Sequence, residues 1–309
     1  MGLPSSNTSS QRLAGRVEQN SPAPLLAYLE LTKPRLLPMV LFTGLPVLAF
    51  AASGWPSPAR GFLTLLGVAL AAASANALNA YVERETDALM ERTRERPLPA
   101  GRISPRAAVI FGVALGVIST LLLGAIGGGV AAALCVASIL FYVLVYTVWL
   151  KPRTAWNTVV GAAAGAAAPI LTDAAVNGHV GIVGLTFFAI VFFWQPPHVW
   201  AIALYRKAEY EAAGVKMLPS VIGDDATRRR MLLYTVGLLP VSLLPFFLGM
   251  LGSVYLGVAL AANAWFIAAS VRVLRERTDE AARRMFHVSL GYLFALFLTI
   301  NVELIARSL

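Results

Sequence analysis

Apolar runs long enough to cross a bilayer recur along most of this chain, and that repetition narrows its possible folds more than any single motif does. A transmembrane helix needs about 20 mostly apolar residues. Nine such runs can be read, at about 36–54, 60–82, 106–125, 128–149, 156–175, 180–202, 231–250, 253–271 and 286–305. In hydrocarbon every backbone polar group must find its partner within the protein, so a spanning segment of this length is a helix. With 58% hydrophobic and only 13% charged residues, the 309-residue chain is a poor candidate for a water-soluble globule. The expected fold class is all-α, a polytopic membrane protein of nine transmembrane helices.

Charge placement supports that count. With a cytoplasmic amino terminus, one side of the membrane receives Arg12, Arg16, Lys33 and Arg35, then Arg84, Arg92, Arg94, Arg96, Arg102 and Arg106. The same side receives Lys151, Arg153, Arg206, Lys207, Lys216, Arg228, Arg229 and Arg230, then Arg272, Arg275, Arg277, Arg283 and Arg284. Only Arg60 and Arg307 fall opposite, a division of 23 to 2 among the 25 basic residues. This is the positive-inside pattern, and it places the carboxyl terminus across the membrane from the amino terminus. The net charge of +9 is therefore topological in the main and calls for no nucleic acid. Cys135 is the single cysteine, which excludes internal disulfides and thiolate zinc sites. Residues 1–27 are polar without an apolar signal core, and are expected to form a disordered cytoplasmic tail. Residues 28–309 then form one membrane domain.

Two long connections lie on the basic side, at about 83–105 and 205–230, and long charged loops are where function concentrates. Asn79, Glu83 and Asp87 enter the first at four-residue spacing, which puts their oxygens on one helical face. Glu83 and Asp87 are like charges at i,i+4, as are Arg92 and Arg96 if the helix reaches them, and each pair is destabilising alone. A divalent cation relieves the first pair and a polyanion the second, so magnesium diphosphate relieves both. Spacing alone reads equally well as a helix end turning charged where it meets water.

The second concentration is Trp194-Gln195-Pro196-Pro197-His198-Val199-Trp200, leading to Tyr205, Arg206, Lys207, Ala208, Glu209 and Tyr210. Two adjacent prolines interrupt helical hydrogen bonding, which is tolerated in a membrane only beside protein or a water-lined cavity. A lone histidine in a span is more often structural than a ligand, but His198 follows the interruption between two indoles. Tyr146 and Lys151 close the fourth run on the basic side, where Lys151 is either a topology signal or a phosphate contact. On the opposite side Asp173, Asn177 and His179 read as loop solvation, and His287 as a headgroup-level residue.

The run Asn79, Glu83, Asp87, Met90, Arg92, Thr93, Arg96, Pro97 and Leu98 resembles the first motif of the UbiA-type intramembrane prenyltransferase superfamily. Trp194, Gln195, Pro197, His198, Trp200, Glu209, Tyr210, Ala213, Gly214, Met217, Leu218 and Pro219 resemble the signature of its protohaem IX farnesyltransferase branch. Leu31 to Arg35 resembles the family's entry into its first span, and the likeness extends from about residue 28 to the end. Two departures stand out: Ala208-Glu209 where the branch has a pair of acids, and Thr172-Asp173 where it has Gly-Trp.

The resemblance implies a bundle around a central cavity that opens on the cytoplasmic side of the cell (inner) membrane. It implies transfer of the farnesyl group of farnesyl diphosphate to a vinyl group of haem B, with water added, giving haem O and diphosphate. Magnesium is the implied cofactor, held by Asn79, Glu83 and Asp87 from one side and Glu209 from the other. Arg92, Arg96, Lys151, Lys207 and Tyr146 are the implied diphosphate contacts, and His198 is the candidate for orienting haem, since neutral imidazole suits iron. The implied partners are the two substrates, the lipid bilayer, and haem A synthase or cytochrome oxidase assembly factors. An aromatic quinone precursor is the alternative acceptor, against which the Trp-Gln-Pro-Pro-His segment argues. A secondary transporter is the alternative class, disfavoured because the acids gather at one membrane surface rather than at its middle.

Overall fold

The computed structural model describes residues 24–51 and 54–308, and among them every regular element is helical. Helix α1 spans Pro24–Leu31, and α2 spans Leu37–Gly44 and continues as a 3-10 turn over Leu45–Phe50. Next come α3 (Pro58–Ala88), α4 (Pro105–Leu140, continuing as a π-helix over Phe141–Leu150), α5 (Asn157–Gly165) and α6 (Ala167–Asn177). The carboxyl half holds α7 (Ile182–Tyr205), α8 (Lys207–Ala212), α9 (Leu218–Ile222), α10 (Asp224–Phe247), α11 (Ser253–Glu276) and α12 (Asp279–Ala306). The expected amino-terminal tail lies mostly outside the described residues, and its last part is the start of α1.

Seven helical stretches among the described residues are long and apolar enough to cross a membrane. One of these, 105–150, contains two of the expected runs. Gly128 has φ 74° and ψ −163°, outside helical geometry, in a region that favours glycine. Ser119 Oγ and Cys135 Sγ nevertheless lie 3.2 Å apart, although 16 residues of straight helix would separate them by about 24 Å. The chain therefore folds back at Gly128 and supplies two antiparallel arms. The first expected run is the shorter helix Leu37–Phe50, so the described residues do not show nine full-length crossings.

The apolar side chains form two main cores. One is built from Val68, Leu123, Cys135, Leu171 and their neighbours in α3 to α6. The other is built from Phe187, Trp200, Met231, Tyr255, Phe266, Tyr292 and Phe297 in α7 to α12. Large apolar residues such as Ile110, Leu121, Leu233, Phe247, Val254 and Phe294 stand exposed, as lipid-facing side chains do.

Helix α7 runs unbroken through Pro196 and Pro197. The prolines cost two N–H donors, leaving the carbonyls of Phe192 and Phe193 without their helical partners, but the helix does not end there. The membrane end away from the basic loops has its own polar fastenings. Asp173, expected as loop solvation, is buried, and its carboxylate accepts from Gly181 N at 2.7 Å and Gly184 N at 3.2 Å, capping the start of α7. Glu303 pairs with Arg307 and accepts from Gly252 N, while Arg307 donates to Met250 O at 2.8 Å. These contacts tie helix ends together.

Candidate active site

The polar end of α3 is where the first motif lies, and each of its oxygen-bearing side chains meets a cation. Asn79 is buried; its Oδ1 accepts from Lys33 Nζ at 2.7 Å and its Nδ2 donates to Thr147 Oγ1 at 3.2 Å. One turn on, Glu83 pairs with Lys151. After another turn the buried carboxylate of Asp87 accepts from Arg96 Nη1 at 2.8 Å.

Helix α3 does not continue to the arginines. It ends at Ala88, and Thr93 Oγ1 donates to the Asp87 carbonyl at 2.7 Å, which turns the loop back over the helix end. Arg92 and Arg96 are thereby released from a shared helical face. Arg96 reaches Asp87, and Arg92 Nε lies 3.7 Å from Glu209 Oε1 on α8. Glu209 Oε2 accepts from Arg206 Nη1 at 2.8 Å, while its buried Oε1 has no hydrogen-bond partner.

The π-helix 141–150 aims the fourth run at the same place. A π-turn widens the spacing to i→i+5, and such turns concentrate at functional sites. Here Thr147 Oγ1 donates to Tyr142 O at 2.8 Å while accepting from Asn79, and Lys151 N closes the element on Tyr146 O at 2.9 Å. Tyr146 stacks on Tyr142 with ring centroids 5.3 Å apart, and Lys151 Nζ sits 5.9 Å from the Tyr146 ring.

Lys33, which the sequence reading left without a role, is the fourth cation of this cluster. Its backbone has φ 54°, unusual for a residue with a side chain, and this strain presents the amine to Asn79. Burial lowers its pKa to about 8; Arg96 and Lys151 push it the same way, and Glu83 and Asp87 oppose them. The signal available in the sequence was a lysine before a proline at the mouth of the first apolar run.

Lys207 is not brought to this cluster. It pairs with Asp224 at 2.9 Å and Glu211 at 4.0 Å, at the face where α8 meets α10. His198 is held between α7 and α12, with its ring 4.5 Å from Trp194 and 4.9 Å from Phe286. Ser289 Oγ donates its one proton to Phe286 O at 2.6 Å, so His198 Nδ1, also 2.6 Å from Ser289 Oγ, must be the donor to it. The lone pair of the neutral ring then sits on Nε2. Trp194 Nε1 donates to Ser289 O at 2.7 Å and fastens the same pair of helices.

Among the described residues no three His, Cys, Asp or Glu side chains converge closely enough to hold a metal by themselves. The donor set suits magnesium all the same, because that ion binds through one or two carboxylates, waters and substrate phosphates rather than an all-protein cage. Three carboxylates, one of them with a buried oxygen that has no hydrogen bond, and an amide oxygen are hard ligands of this kind.

The model of the UbiA prenyltransferase family matches residues 40–298. A protoheme IX farnesyltransferase of Acidiphilium cryptum is 46% identical over 279 residues, covering 87% of this chain and 88% of that one. One from Gloeobacter violaceus is 43% identical over 297 residues, covering 95% and 97%. The solved structure of a digeranylgeranylglyceryl phosphate synthase superposes with a TM-score of 0.77 at 19% identity, over 92% of this chain and 99% of that one. A UbiA homologue from Archaeoglobus fulgidus, solved with DMAPP and Mg2+, superposes with a TM-score of 0.62 at 19% identity, over 89% and 99%. At such identities these two likenesses speak to the fold alone.

Proposed function

The chain belongs to the UbiA prenyltransferase family, and from that premise we propose that it transfers the farnesyl group of farnesyl diphosphate to haem B. The allylic C–O bond of the diphosphate breaks, and farnesyl C1 bonds to the terminal carbon of a haem vinyl group. Water adds at the other vinyl carbon and loses a proton, giving haem O and diphosphate. The observation that carries the site assignment is the cross-pairing of its charges. Each side chain suited to a magnesium ion faces one suited to phosphate: Asn79 accepts from Lys33, Glu83 pairs with Lys151, Asp87 with Arg96, and Glu209, hydrogen-bonded to Arg206, lies 3.7 Å from Arg92. Magnesium diphosphate carries both charges, so its arrival exchanges these pairs without stranding a partly buried ion. The like-charge crowding that a bare site would suffer is relieved in the same way.

Asn79, Glu83, Asp87 and Glu209 would hold magnesium, which supplies Lewis-acid stabilisation of the departing diphosphate. Arg92, Arg96, Lys151 and Lys33 stabilise the same leaving group as its charge develops, and their preorganisation lowers the barrier to ionisation. Tyr146 forms the wall behind Lys151. The bundle interior takes the farnesyl chain and keeps water from the allylic cation until the vinyl carbon reacts. His198 orients haem through the α7–α12 contact.

The reading also sets the site on the cytoplasmic side of the cell membrane, because the basic loops carry it. Cysteine labelling of the loops at 83–105 and 205–230 should find them accessible only from the cytoplasm; labelling from outside would overturn the orientation. The activity itself is tested by incubating purified protein with haem B, farnesyl diphosphate and magnesium, then weighing the haem by mass spectrometry. A farnesyl-plus-water gain is expected, and unchanged haem would overturn the assignment. An aromatic quinone precursor in place of haem should remain unmodified.

A further inference from the structure

Beside Glu209 a crevice of about 510 Å³ opens between the end of α7, α8 and the start of α12. Besides Glu209, which the diphosphate site also uses, its walls include Tyr205, Arg206, Arg283, Phe286 and His287, a mixture that no part of the diphosphate site needs. Arg206 and Arg283 place their guanidinium carbons 5.7 and 5.2 Å from the Tyr205 ring. Arg206 is neutralised by Glu209, but Arg283 has no carboxylate partner among the described residues. Phe286 meets Tyr205 edge-on at 6.4 Å and rests against His198, so the crevice has an aromatic wall backed by the α7–α12 contact. His287 Nδ1 lies 2.9 Å from Arg283 O, and a carbonyl can only accept, so Nδ1 carries the proton. In the neutral ring Nε2 then holds the lone pair, with the ring oriented by a backbone carbonyl as metal-ligating histidines usually are.

We propose that this crevice is the haem-binding subsite, with His287 as the axial ligand of the iron and Arg283 as the anchor of the propionates. The proposal rests on the haem-prenylating function above and names where the acceptor sits. An anion alone would use the guanidiniums and leave the aromatic wall and imidazole unexplained. A porphyrin uses all three, because its macrocycle is apolar, its iron takes imidazole and its propionates are carboxylates. The volume lies within the usual ligand-pocket range of about 300–1,000 Å³. Propionates and vinyl groups sit on opposite edges of haem B. With the propionates at Arg283, the vinyl edge is left for the Glu209 wall, and Glu209 is the residue that also meets Arg92. His198, behind Phe286, positions the wall rather than the iron.

The test uses full-length protein and four probes: haem B by its absorbance, metal-free protoporphyrin IX, farnesyl diphosphate with magnesium, and product mass. His287→Ala should lose the imidazole-ligated haem spectrum and weaken haem B about tenfold or more, the scale of a disturbed metal ligand. Added imidazole should restore the spectrum. Binding of protoporphyrin IX and of farnesyl diphosphate should stay as in the wild type, the latter showing that the variant is folded; His287→Gln should behave alike. Arg283→Ala should weaken both porphyrins and spare farnesyl diphosphate. An unchanged haem spectrum and affinity in both His287 variants, with wild-type protein converting haem B, would overturn the subsite and leave the function standing. Loss of farnesyl diphosphate binding in Arg283→Ala or His287→Ala would assign the crevice to the diphosphate instead. A wild-type protein that neither binds nor converts haem B would overturn both.

Discussion

Arg92 Nε lies 3.7 Å from Glu209 Oε1, so the first motif and the second, drawn from opposite halves of the chain, meet as an ion pair. The distance exceeds a hydrogen bond, and Glu209 Oε1 is buried with no hydrogen-bond partner. A buried carboxylate oxygen in that condition is costly unless a ligand completes it. The contact also joins the two proposed substrate sites, because Glu209 lines the crevice assigned to haem.

Glu209→Gln should therefore weaken magnesium-dependent binding of farnesyl diphosphate. The expected loss is about tenfold to a hundredfold, the scale of one charge-assisted hydrogen bond of ~1.5–3 kcal/mol. Ala208→Asp beside it should recover part of that loss by returning a carboxylate to the same helix. Titration of magnesium at fixed farnesyl diphosphate measures both variants. Wild-type magnesium dependence in Glu209→Gln would confine Glu209 to its pairs with Arg92 and Arg206.

Asp87→Asn tests the buried end of the acidic face. The substitution keeps the shape and the Thr93 contact to the main-chain carbonyl but removes the charge paired with Arg96. The Arg96 side chain is 32% exposed, so it can rehydrate and the protein should stay folded. Turnover should fall on the order of 10²-fold or more, as when one preorganised charge is removed from a transition state. Near-normal turnover at limiting magnesium would show Asp87 to be a structural partner of Arg96 alone.

Gly161→Ala probes the wall behind Lys151 without touching a charge. A Cβ built on Gly161 would lie 2.5 Å from Tyr146 Cδ2, so the ring must shift and Lys151 with it. Overpacking of this kind costs about 1–3 kcal/mol. The expected result is a lower melting temperature together with a raised KM for farnesyl diphosphate. A variant with unchanged KM would separate Tyr146 from the diphosphate site.

The membrane class and the first motif could be read from the sequence because each rests on local rules. Apolar length gives membrane-crossing helices, and four-residue spacing gives the shared face of Asn79, Glu83 and Asp87. What escaped depends on contacts between distant segments. The release of Arg92 and Arg96 from a common face needed the Thr93 hydroxyl to turn the loop back onto α3. Lys207 carried the right charge but found Asp224 of α10, which no pattern within its own loop announces. The π-helix hid in an ordinary apolar run, since Phe141 to Leu150 has the composition of any span. The crevice beside His287 escaped because Tyr205 and Arg206, which complete it, come from another helix end.

Lys33 supplies the last test, because its place in the site comes from geometry and not from motif. It reaches Asn79 from the connection before α2, in a backbone conformation that a side-chain-bearing residue seldom adopts. Burial among Arg96 and Lys151 has lowered its pKa to about 8, so the charge is held at a cost that an incoming anion would relieve. Lys33→Met keeps much of the apolar stem and removes the charge. If Lys33 only steadies Asn79, the variant should lose stability and bind farnesyl diphosphate normally. If it is a fourth cation for the leaving group, affinity for farnesyl diphosphate should drop about tenfold, the scale of ~1.4 kcal/mol. Magnesium-independent binding of inorganic diphosphate should drop in parallel, while haem binding stays unchanged. The second outcome is expected, since the amine sits within the same cluster as Glu83, Asp87, Arg96 and Lys151. Normal binding of both diphosphates by a folded Lys33→Met protein would remove Lys33 from the site.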